Sequence, residues 1–187
     1  MSGIHLDLTD RKIAVTGAAR GIGRSTAELL VAAGAKIVVN DLDETSASRT
    51  ADEIGAVAGI GADVSKEKAA QTLINSAAEA MGGLDGLVNN AGILEDARGL
   101  KRQTVTDWQR VIDVNLKSVF MLSRGAAGLM PRGGAIVNVV SVAGLRAMPG
   151  ANAYSVSKAG VAMMTQSMAC ELVKYGQRVN AIAPGFV

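Results

Sequence analysis

The sequence contains almost no histidine or cysteine, and this scarcity excludes several kinds of chemistry. His5 is its only histidine and Cys170 its only cysteine. His5 precedes the first apolar segment, where it is badly placed for a Ser-His-Asp triad or a histidine-containing zinc site. A single cysteine forms no internal disulfide, and the apolar helical pattern around Cys170 predicts a small buried side chain. We therefore expect neither a hydrolase nor a metal site.

The chain also lacks long apolar runs and blocks of like charge. No apolar run approaches the roughly 20 residues that a membrane span needs, and the N-terminus lacks the basic and apolar regions of a signal peptide. The chain has nineteen Lys and Arg residues and seventeen Asp and Glu residues, and charges of both signs are scattered along the sequence. Nothing indicates binding to nucleic acid or to a membrane. These absences predict a soluble, cytoplasmic protein whose partner is a small molecule.

The sequence does have a regular alternation of short β-branched runs with longer helical patterns. Predicted strands cover about 12–16, 35–40, 57–60, 84–88, 134–140 and 178–182, and predicted helices cover about 22–33, 44–54, 66–81, 104–127 and 154–175. Apolar strands separated by helices indicate a parallel sheet that is covered on both faces. We predict an α/β fold, a doubly wound parallel sheet of the Rossmann type with three αβα layers, in one domain over residues 1–187.

A glycine-rich turn follows the first predicted strand. Residues 16–23 read Thr-Gly-Ala-Ala-Arg-Gly-Ile-Gly, which places Gly17, Gly21 and Gly23 between a strand and a helix. Glycines there let the backbone approach a pyrophosphate, and the helix N-terminus offers free N–H groups. The alternative is a tight turn without a ligand, since the spacing differs from the commoner G-x-G-x-x-G. The context favours a dinucleotide site.

Asp41 ends the second predicted strand, 24 residues after Gly17. A carboxylate there can accept hydrogen bonds from the adenosine ribose, and it repels the 2′-phosphate of NADP by about 4 kcal/mol at 4 Å. NAD is therefore favoured. Arg20 can meet a 2′-phosphate, so NADP stays open as the less favoured cofactor, and a helix N-cap is the other role open to Asp41.

Tyr154 and Lys158 stand four residues apart in a predicted helix. Positions i and i+4 share a helix face, so the lysine ammonium can lie beside the phenol and stabilise its ionised form. A tyrosine in that setting can give and take protons. An ordinary surface contact would have the same spacing, and the pair alone does not decide between the two.

Further motifs give the chain a resemblance to the short-chain dehydrogenase/reductase family, from about Lys12 to the last residue. The matching segments are the turn at 16–23, Asn89-Asn90-Ala91-Gly92, Asn115, Ser141 thirteen residues before Tyr154, the Tyr154–Lys158 pair and Pro184-Gly185. Some members that it resembles are 3-oxoacyl reductases and others are hydroxysteroid dehydrogenases. Taken singly, Ser141 could be a strand-end cap and Asn115 a helix hydrogen-bonding residue.

The resemblance implies an oxidoreductase that acts on CH–OH groups with NAD or NADP and interconverts a secondary alcohol and a ketone. The catalytic residues that it implies are Asn115, Ser141, Tyr154 and Lys158. The cofactor-binding residues, from the turn and the resemblance together, are Gly17, Arg20, Gly21, Ile22, Gly23, Asp41, Asp63, Val64, Asn90, Tyr154, Lys158 and Val187. By similarity, Asp63 and Val64 flank the adenine, Asn90 contacts the adenosine-side ribose, and the backbone near Val187 meets the nicotinamide carboxamide. The family also implies a homo-oligomer, usually a tetramer.

The chain departs from the family in its length. The family continues beyond the Pro-Gly segment through a substrate loop and a seventh strand, so we expect a fragment of a longer natural chain and an exposed edge at the strand over 178–182. Two other functions stay open. One is an NADPH-dependent 3-oxoacyl-thioester reductase, and the other is a non-catalytic dinucleotide-binding sensor or scaffold.

Overall fold

The computed structural model describes residues 6–94 and 100–185. His5 and Val187, both singled out above, lie outside these residues. Within them the chain forms a six-stranded sheet flanked by helices. Its strands are β1 Lys12–Thr16, β2 Lys36–Asp41, β3 Ala58–Gly61, β4 Gly86–Asn89, β5 Ala135–Val139 and β6 Arg178–Ile182.

The sheet has the order β3-β2-β1-β4-β5-β6, and every neighbouring pair is parallel. The predicted doubly wound α/β fold is confirmed. The chain winds outward from β1 towards β3 and then crosses to β4, which pairs with the other side of β1. Ligands of such sheets bind where the winding changes direction, at the carboxyl ends of the strands. The end of β1, and with it the glycine-rich turn, lies at that point.

The helices are α1 Gly21–Ala32, α2 Glu44–Ile54, α3 Glu67–Met81, α4 Val105–Ile112, α5 Ser118–Leu129 and α6 Asn152–Leu172. Local residues explain several of their ends. Asp43 begins α2 by accepting a hydrogen bond from the Ser46 N–H at 2.8 Å. Gly55 and Gly82 end α2 and α3 with φ values of 74° and 70°, a left-handed conformation that glycine adopts at low cost. In the described residues, no helix is long and apolar enough to cross a membrane.

The prediction of a single helix over 104–127 is wrong in one respect. The structure has two α-helices there, joined by a π-helical turn over Asp113–Lys117, and Asn115 lies inside that turn. Such turns are rare and are found frequently at functional sites. The hydrogen bonds that Asn115 makes outside its own helix, described below, accompany this distortion.

Two apolar clusters cover the two faces of the sheet. One joins Leu87 of β4 and Ile136 of β5 to α3, α5 and α6, and the other joins Val15 of β1 and Ile37 of β2 to α1 and α2. The buried positions of the strands are mostly apolar, and Asn40, Asn89 and Asn138 are among the buried polar exceptions. The cores hold the carboxyl ends of β1, β2, β4 and β5 in fixed register.

The predicted burial of Cys170 is wrong, because its side chain is exposed. The residues of α6 that are buried are Ala153, Ser157, Lys158, Val161 and Thr165. These positions recur every three or four residues and so form one stripe along the helix. Cys170 lies off this stripe. An apolar neighbourhood in the sequence was not enough to place it in the core.

Candidate active site

A cleft runs along the carboxyl edge of the sheet. It consists of two adjoining cavities of about 480 Å³ and 370 Å³, which share the lining residues Ile22, Asn90, Gly92 and Ile93. We call the first the nucleotide cavity, because Gly17, Arg20, Gly21, Asp41, Asp63 and Val64 line it. We call the second the substrate cavity, because Ser141, Tyr154 and Lys158 line it. Both volumes are in the range of small-molecule sites.

The glycines of the turn are needed for different reasons. Gly17 and Gly21 have φ values of 60° and 57°, which favour glycine. Gly23 is required by its neighbours, since a Cβ built on it would lie 2.4 Å from both Asn90 Nδ2 and the Gly17 carbonyl oxygen. Helix α1 begins at Gly21, so its free N–H groups and the positive end of its dipole face this end of the cleft.

Asn90 and Thr16 hold the turn against β4. Asn90 Nδ2 donates to the carbonyl oxygens of Thr16 at 2.9 Å and Gly17 at 2.8 Å. Thr16 Oγ1 accepts from the N–H groups of Asn90 and Ala91, both at 3.1 Å. Asn90 lines both cavities, and its amide nitrogen is engaged in shaping the turn; its contact with a ribose stays a prediction. The prediction for Asn90 missed this role, and it missed Thr16.

Asp41 has its carboxylate fixed at the end of β2. Its Oδ2 accepts from the Ala19 N–H at 3.0 Å and its Oδ1 from the Leu42 N–H at 2.8 Å. The cap of α2 is Asp43, so the alternative role of helix N-cap does not fall to Asp41. Its negative charge is therefore held beside the glycine-rich turn, and Arg20 lines the same cavity.

Asp63 and Val64 follow β3 and also line the nucleotide cavity. Asp63 Oδ1 accepts from the N–H and the Oγ of Ser65 at 3.0 Å and 2.7 Å, which closes a short turn before α3. Val64 is buried and belongs to the apolar cluster under α3. Both residues are thus fixed in the wall of the nucleotide cavity by their own surroundings, and their contact with adenine stays a prediction.

Lys158 is a buried cation next to Tyr154. Its side chain is only 5% exposed, and its Nζ donates to the Val139 carbonyl oxygen at 2.7 Å. The same Nζ lies 5.8 Å from the centroid of the Tyr154 ring. Burial lowers the pKa of Lys158 from 10.5 to about 8. The spacing of four residues therefore does bring the ammonium to the side of the ring.

Asn115 is fully buried behind this pair. Its Oδ1 accepts from the Ile93 N–H and its Nδ2 donates to the Ile93 carbonyl oxygen, both at 2.8 Å. A Cβ built on Gly92 would lie 3.4 Å from Asn115 Oδ1 and 3.5 Å from Lys158 Nζ, so both groups face Gly92. Asn115 thus holds the chain after β4, which forms the wall common to both cavities.

Ser141 follows β5 at the carboxyl edge of the sheet. The cap role that its position in the sequence left open is present, and its catalytic role stays a prediction. Its Oγ accepts from the Ala143 N–H at 3.2 Å and so caps the short helical turn Val142–Gly144. Its side chain also lines the substrate cavity together with Tyr154. Of the four predicted catalytic residues, three therefore line one cavity, and Asn115 supports it from behind.

The sequence interpretation missed a set of buried polar side chains beneath the cleft. Ser157 bonds to Asn115 and to the Tyr154 backbone. Asn138 Nδ2 donates to Thr165 Oγ1 at 2.8 Å and ties β5 to α6. Ser157 and Thr165 lie about one and three turns after Ala153 on the buried stripe of α6, so helical spacing was the available signal. Over residues 6–94 and 100–185, no group of three potential metal ligands occurs.

Three comparisons agree with this geometry. The family model described as short chain dehydrogenase matches residues 11–187. A 3-oxoacyl-[acyl-carrier-protein] reductase of Synechocystis sp. is 42% identical over 187 residues, which cover 96% of this chain and 75% of the relative. A 3beta-hydroxysteroid dehydrogenase 1 of Eggerthella lenta is 42% identical over 189 residues, which cover 96% and 71%. A short chain dehydrogenase structure from Mycobacterium smegmatis has a TM-score of 0.93 at 35% identity and covers 100% of this chain and 80% of its own.

The fold and the cleft define a nucleotide-binding α/β protein of the Rossmann type. The chain belongs to the short-chain dehydrogenase/reductase family, as the sequence predicted. It is accordingly an oxidoreductase that acts on CH–OH groups by hydride transfer with a nicotinamide cofactor.

Proposed function

We propose that this oxidoreductase interconverts a secondary alcohol and a ketone with NAD(H), and that Tyr154 is its general acid and base. The observation that carries the proposal is the meeting of Ser141, Tyr154 and Lys158 in one cavity that adjoins the nucleotide cavity. The residues present fit a dinucleotide, since the cradle at Gly23 has no room for a side chain and α1 begins beside it.

In alcohol oxidation, the Tyr154 phenolate takes the hydroxyl proton of the substrate, and in ketone reduction the phenol returns it. The Ser141 hydroxyl donates a hydrogen bond to the substrate oxygen. The Lys158 ammonium stabilises the phenolate, and it would also hold the nicotinamide ribose of a bound cofactor. The bound cofactor supplies the hydride acceptor or donor. Asn115 keeps the Ile93 peptide and the wall of the cleft in place.

Asp41 supports NAD rather than NADP in this proposal. Its carboxylate is held by two backbone N–H groups and cannot swing away from a 2′-phosphate without breaking both hydrogen bonds. Titration of the protein with NADH and with NADPH, followed by nicotinamide fluorescence, tests the assignment. Tighter binding of NADPH would overturn it and would favour the 3-oxoacyl-thioester reductase, the class to which the Synechocystis relative belongs by name.

The decisive experiment compares the parent with Tyr154→Phe on secondary alcohols and ketones, including a 3β-hydroxysteroid and a 3-oxoacyl thioester. These two substrate types correspond to the names of the relatives described above. We expect turnover by the parent and a loss of at least about 100-fold in the variant, because general acid–base catalysis contributes that much or more. Equal rates in the two proteins would refute Tyr154 as the general acid and base, and no turnover by either protein would instead support the non-catalytic sensor or scaffold.

We also propose that the natural chain continues through a substrate loop and a seventh strand. Strand β6 is the edge of the sheet and most of its residues are exposed, and the chain spans about three quarters of the length of the two curated relatives. An intact-mass measurement on the native protein tests this. A mass near 19.1 kDa would contradict it.

We infer that the protein is a cytoplasmic homo-oligomer, a dimer or tetramer. Exposed apolar side chains support this state, among them Phe120 on α5 and Val156 and Met163 on α6, which are 46%, 46% and 64% exposed. Sedimentation velocity of the purified protein tests the assembly, and a monomer at micromolar concentration would refute it. Fractionation of the native cells tests the location, and recovery of the protein outside the cytoplasmic fraction would refute that part.

A further inference from the structure

Ser157 is a fully buried hydroxyl that contacts two parts of the site at once. Its exposed fraction is 0%. Its Oγ donates to the Tyr154 carbonyl oxygen at 2.7 Å and accepts from Asn115 Nδ2 at 3.1 Å. A hydroxyl has one proton to donate and lone pairs to accept, so both hydrogen bonds form together. Ser157 therefore connects the first turn of α6 to the π-helical turn between α4 and α5.

The Asn115 amide is fixed by three hydrogen bonds, and only the one to Ser157 comes from α6. The other two go to the N–H and carbonyl groups of Ile93. Ile93 lines both the nucleotide and the substrate cavity. The chain of contacts thus runs from the Tyr154 backbone through Ser157 and Asn115 to the wall that the two cavities share.

Helix formation alone does not require this hydroxyl. A serine that bonds to the carbonyl of residue i−3 is a common local feature, and alanine forms helix better than serine does. The bond from Asn115 joins α6 to a different element, at a depth where water does not reach. A hydroxyl at this position is explained by the connection between the two elements rather than by α6 itself.

We propose that Ser157 is a positioning residue of the proton-transfer site: it holds the Asn115 amide, and through it the Ile93 peptide, in register with the Tyr154 backbone. The inference rests on the function proposed for Tyr154. Its physical content is also independent of turnover, since it predicts that the Ile93 backbone loses rigidity when the Ser157 hydroxyl is removed.

The test compares Ser157→Ala with Ser123→Ala. Ser123 is a matched control, because it is also buried and its Oγ accepts from an asparagine, Asn89 Nδ2, at 3.0 Å. It lies on α5 and is not among the residues that line the two cavities. Ser157→Ala loses two buried hydrogen bonds and Ser123→Ala loses one, so we expect the melting temperature to fall in both variants and to fall further in Ser157→Ala.

Two readouts separate positioning from general stability. Amide hydrogen exchange at Ile93 is expected to become at least about fivefold faster in Ser157→Ala, because the net free energy of one typical hydrogen bond corresponds to about that factor. In Ser123→Ala the exchange rate of Ile93 is expected to stay as in the parent. The kcat for the substrate found with the alcohol and ketone panel is expected to fall about fivefold to tenfold in Ser157→Ala, with the KM values of substrate and cofactor within about twofold. If Ser157→Ala does not fold, the near-isosteric Ser157→Cys, a weaker donor, is measured in the same way.

Parent-like Ile93 exchange and parent-like kcat in the Ser157 variant would overturn the inference. If Tyr154→Phe is inactive while Ser157→Ala behaves as the parent in both readouts, only the role of Ser157 fails. If Tyr154→Phe turns over as the parent does, the proposed function fails, and the exchange rate of Ile93 still decides whether Ser157 positions Asn115.

Discussion

Replacement of Lys158 by methionine is the sharpest test of the electrostatics of the site. Burial lowers the pKa of Lys158 from 10.5 to about 8. One pKa unit corresponds to 1.36 kcal/mol, so the protonated side chain is less favourable in the folded protein than in the unfolded chain by about 3 kcal/mol. This cost arises because the ammonium has lost most of its hydration in the folded state.

The sign of the pH dependence follows from proton counting. Between pH 8 and 10.5 the unfolded chain holds the lysine proton and the folded protein has released it. The free energy of unfolding therefore rises with pH through this window by about 3 kcal/mol from this group, and below pH 8 the group contributes no pH dependence. In Lys158→Met this contribution is absent. At pH 7 the variant no longer has the desolvation cost of the ammonium, which stabilises it. It also loses the hydrogen bond to the Val139 carbonyl, worth about 1.5–3 kcal/mol for a charged donor, so the net change in its free energy of unfolding at pH 7 is small.

The assay is urea unfolding of both proteins at intervals from pH 7 to 10.5. The difference between their free energies of unfolding isolates Lys158, because the other titrating groups are common to both chains. Lys68→Met, at an exposed position on α3, corrects for the loss of a lysine as such. We expect the parent to gain about 3 kcal/mol relative to Lys158→Met over this range. A difference that is constant within about 1 kcal/mol would refute the reasoning.

Three further outcomes follow from the contacts described above. Gly23→Ala places a Cβ 2.4 Å from Asn90 Nδ2. We expect this variant to bind NADH at least about tenfold more weakly by calorimetry and to lose about 1–3 kcal/mol of unfolding free energy in urea. The control Gly128→Ala, with nothing within 4 Å of its new Cβ, is expected to gain about 0.5–1 kcal/mol. Asp41→Asn removes the charge opposite a 2′-phosphate, so the preference for NADH over NADPH in fluorescence titration should fall at least about tenfold; an unchanged preference would exclude Asp41 as its source. Asn115→Leu leaves the Ile93 N–H and carbonyl without their partner, and its free energy of unfolding should drop by about 1–3 kcal/mol; no drop would mean that water replaces the amide.

The strands and most helices could be predicted because their signals are local. Lys12–Thr16 is an apolar run that ends at glycine, and α2 begins and ends as predicted, at Glu44 and Ile54. Parallel order follows from the alternation of strands and helices, since each crossover must span the sheet. The spacing of Tyr154 and Lys158 also has a local signal, and the structure brings the two side chains together.

The missed features depend on contacts between distant parts of the chain. The π-helical turn at Asn115 is associated with hydrogen bonds to Ile93, 22 residues earlier, which no helical periodicity reveals. The second role of Asn90 requires knowing that the glycine-rich turn packs against the end of β4. The burial predicted for Cys170 is wrong because the apolar residues around it in the sequence do not determine which face of the helix is buried.

The rotation of α6 is what directs Tyr154 into the cleft, and it is fixed by polar as well as apolar contacts. Two hydrogen bonds connect the helix to neighbouring residues of β5. Lys158 Nζ donates to the Val139 carbonyl oxygen, and Thr165 Oγ1, seven residues further along the helix, accepts from Asn138 Nδ2. A helix turns by about 100° per residue, so residues seven apart lie within about 20° of the same direction, and two such bonds leave α6 little freedom to rotate. Tyr154, four residues before Lys158, is then held beside the buried face with its ring at the cavity. The lysine thus orients the helix that carries the tyrosine and also supplies the charge beside it.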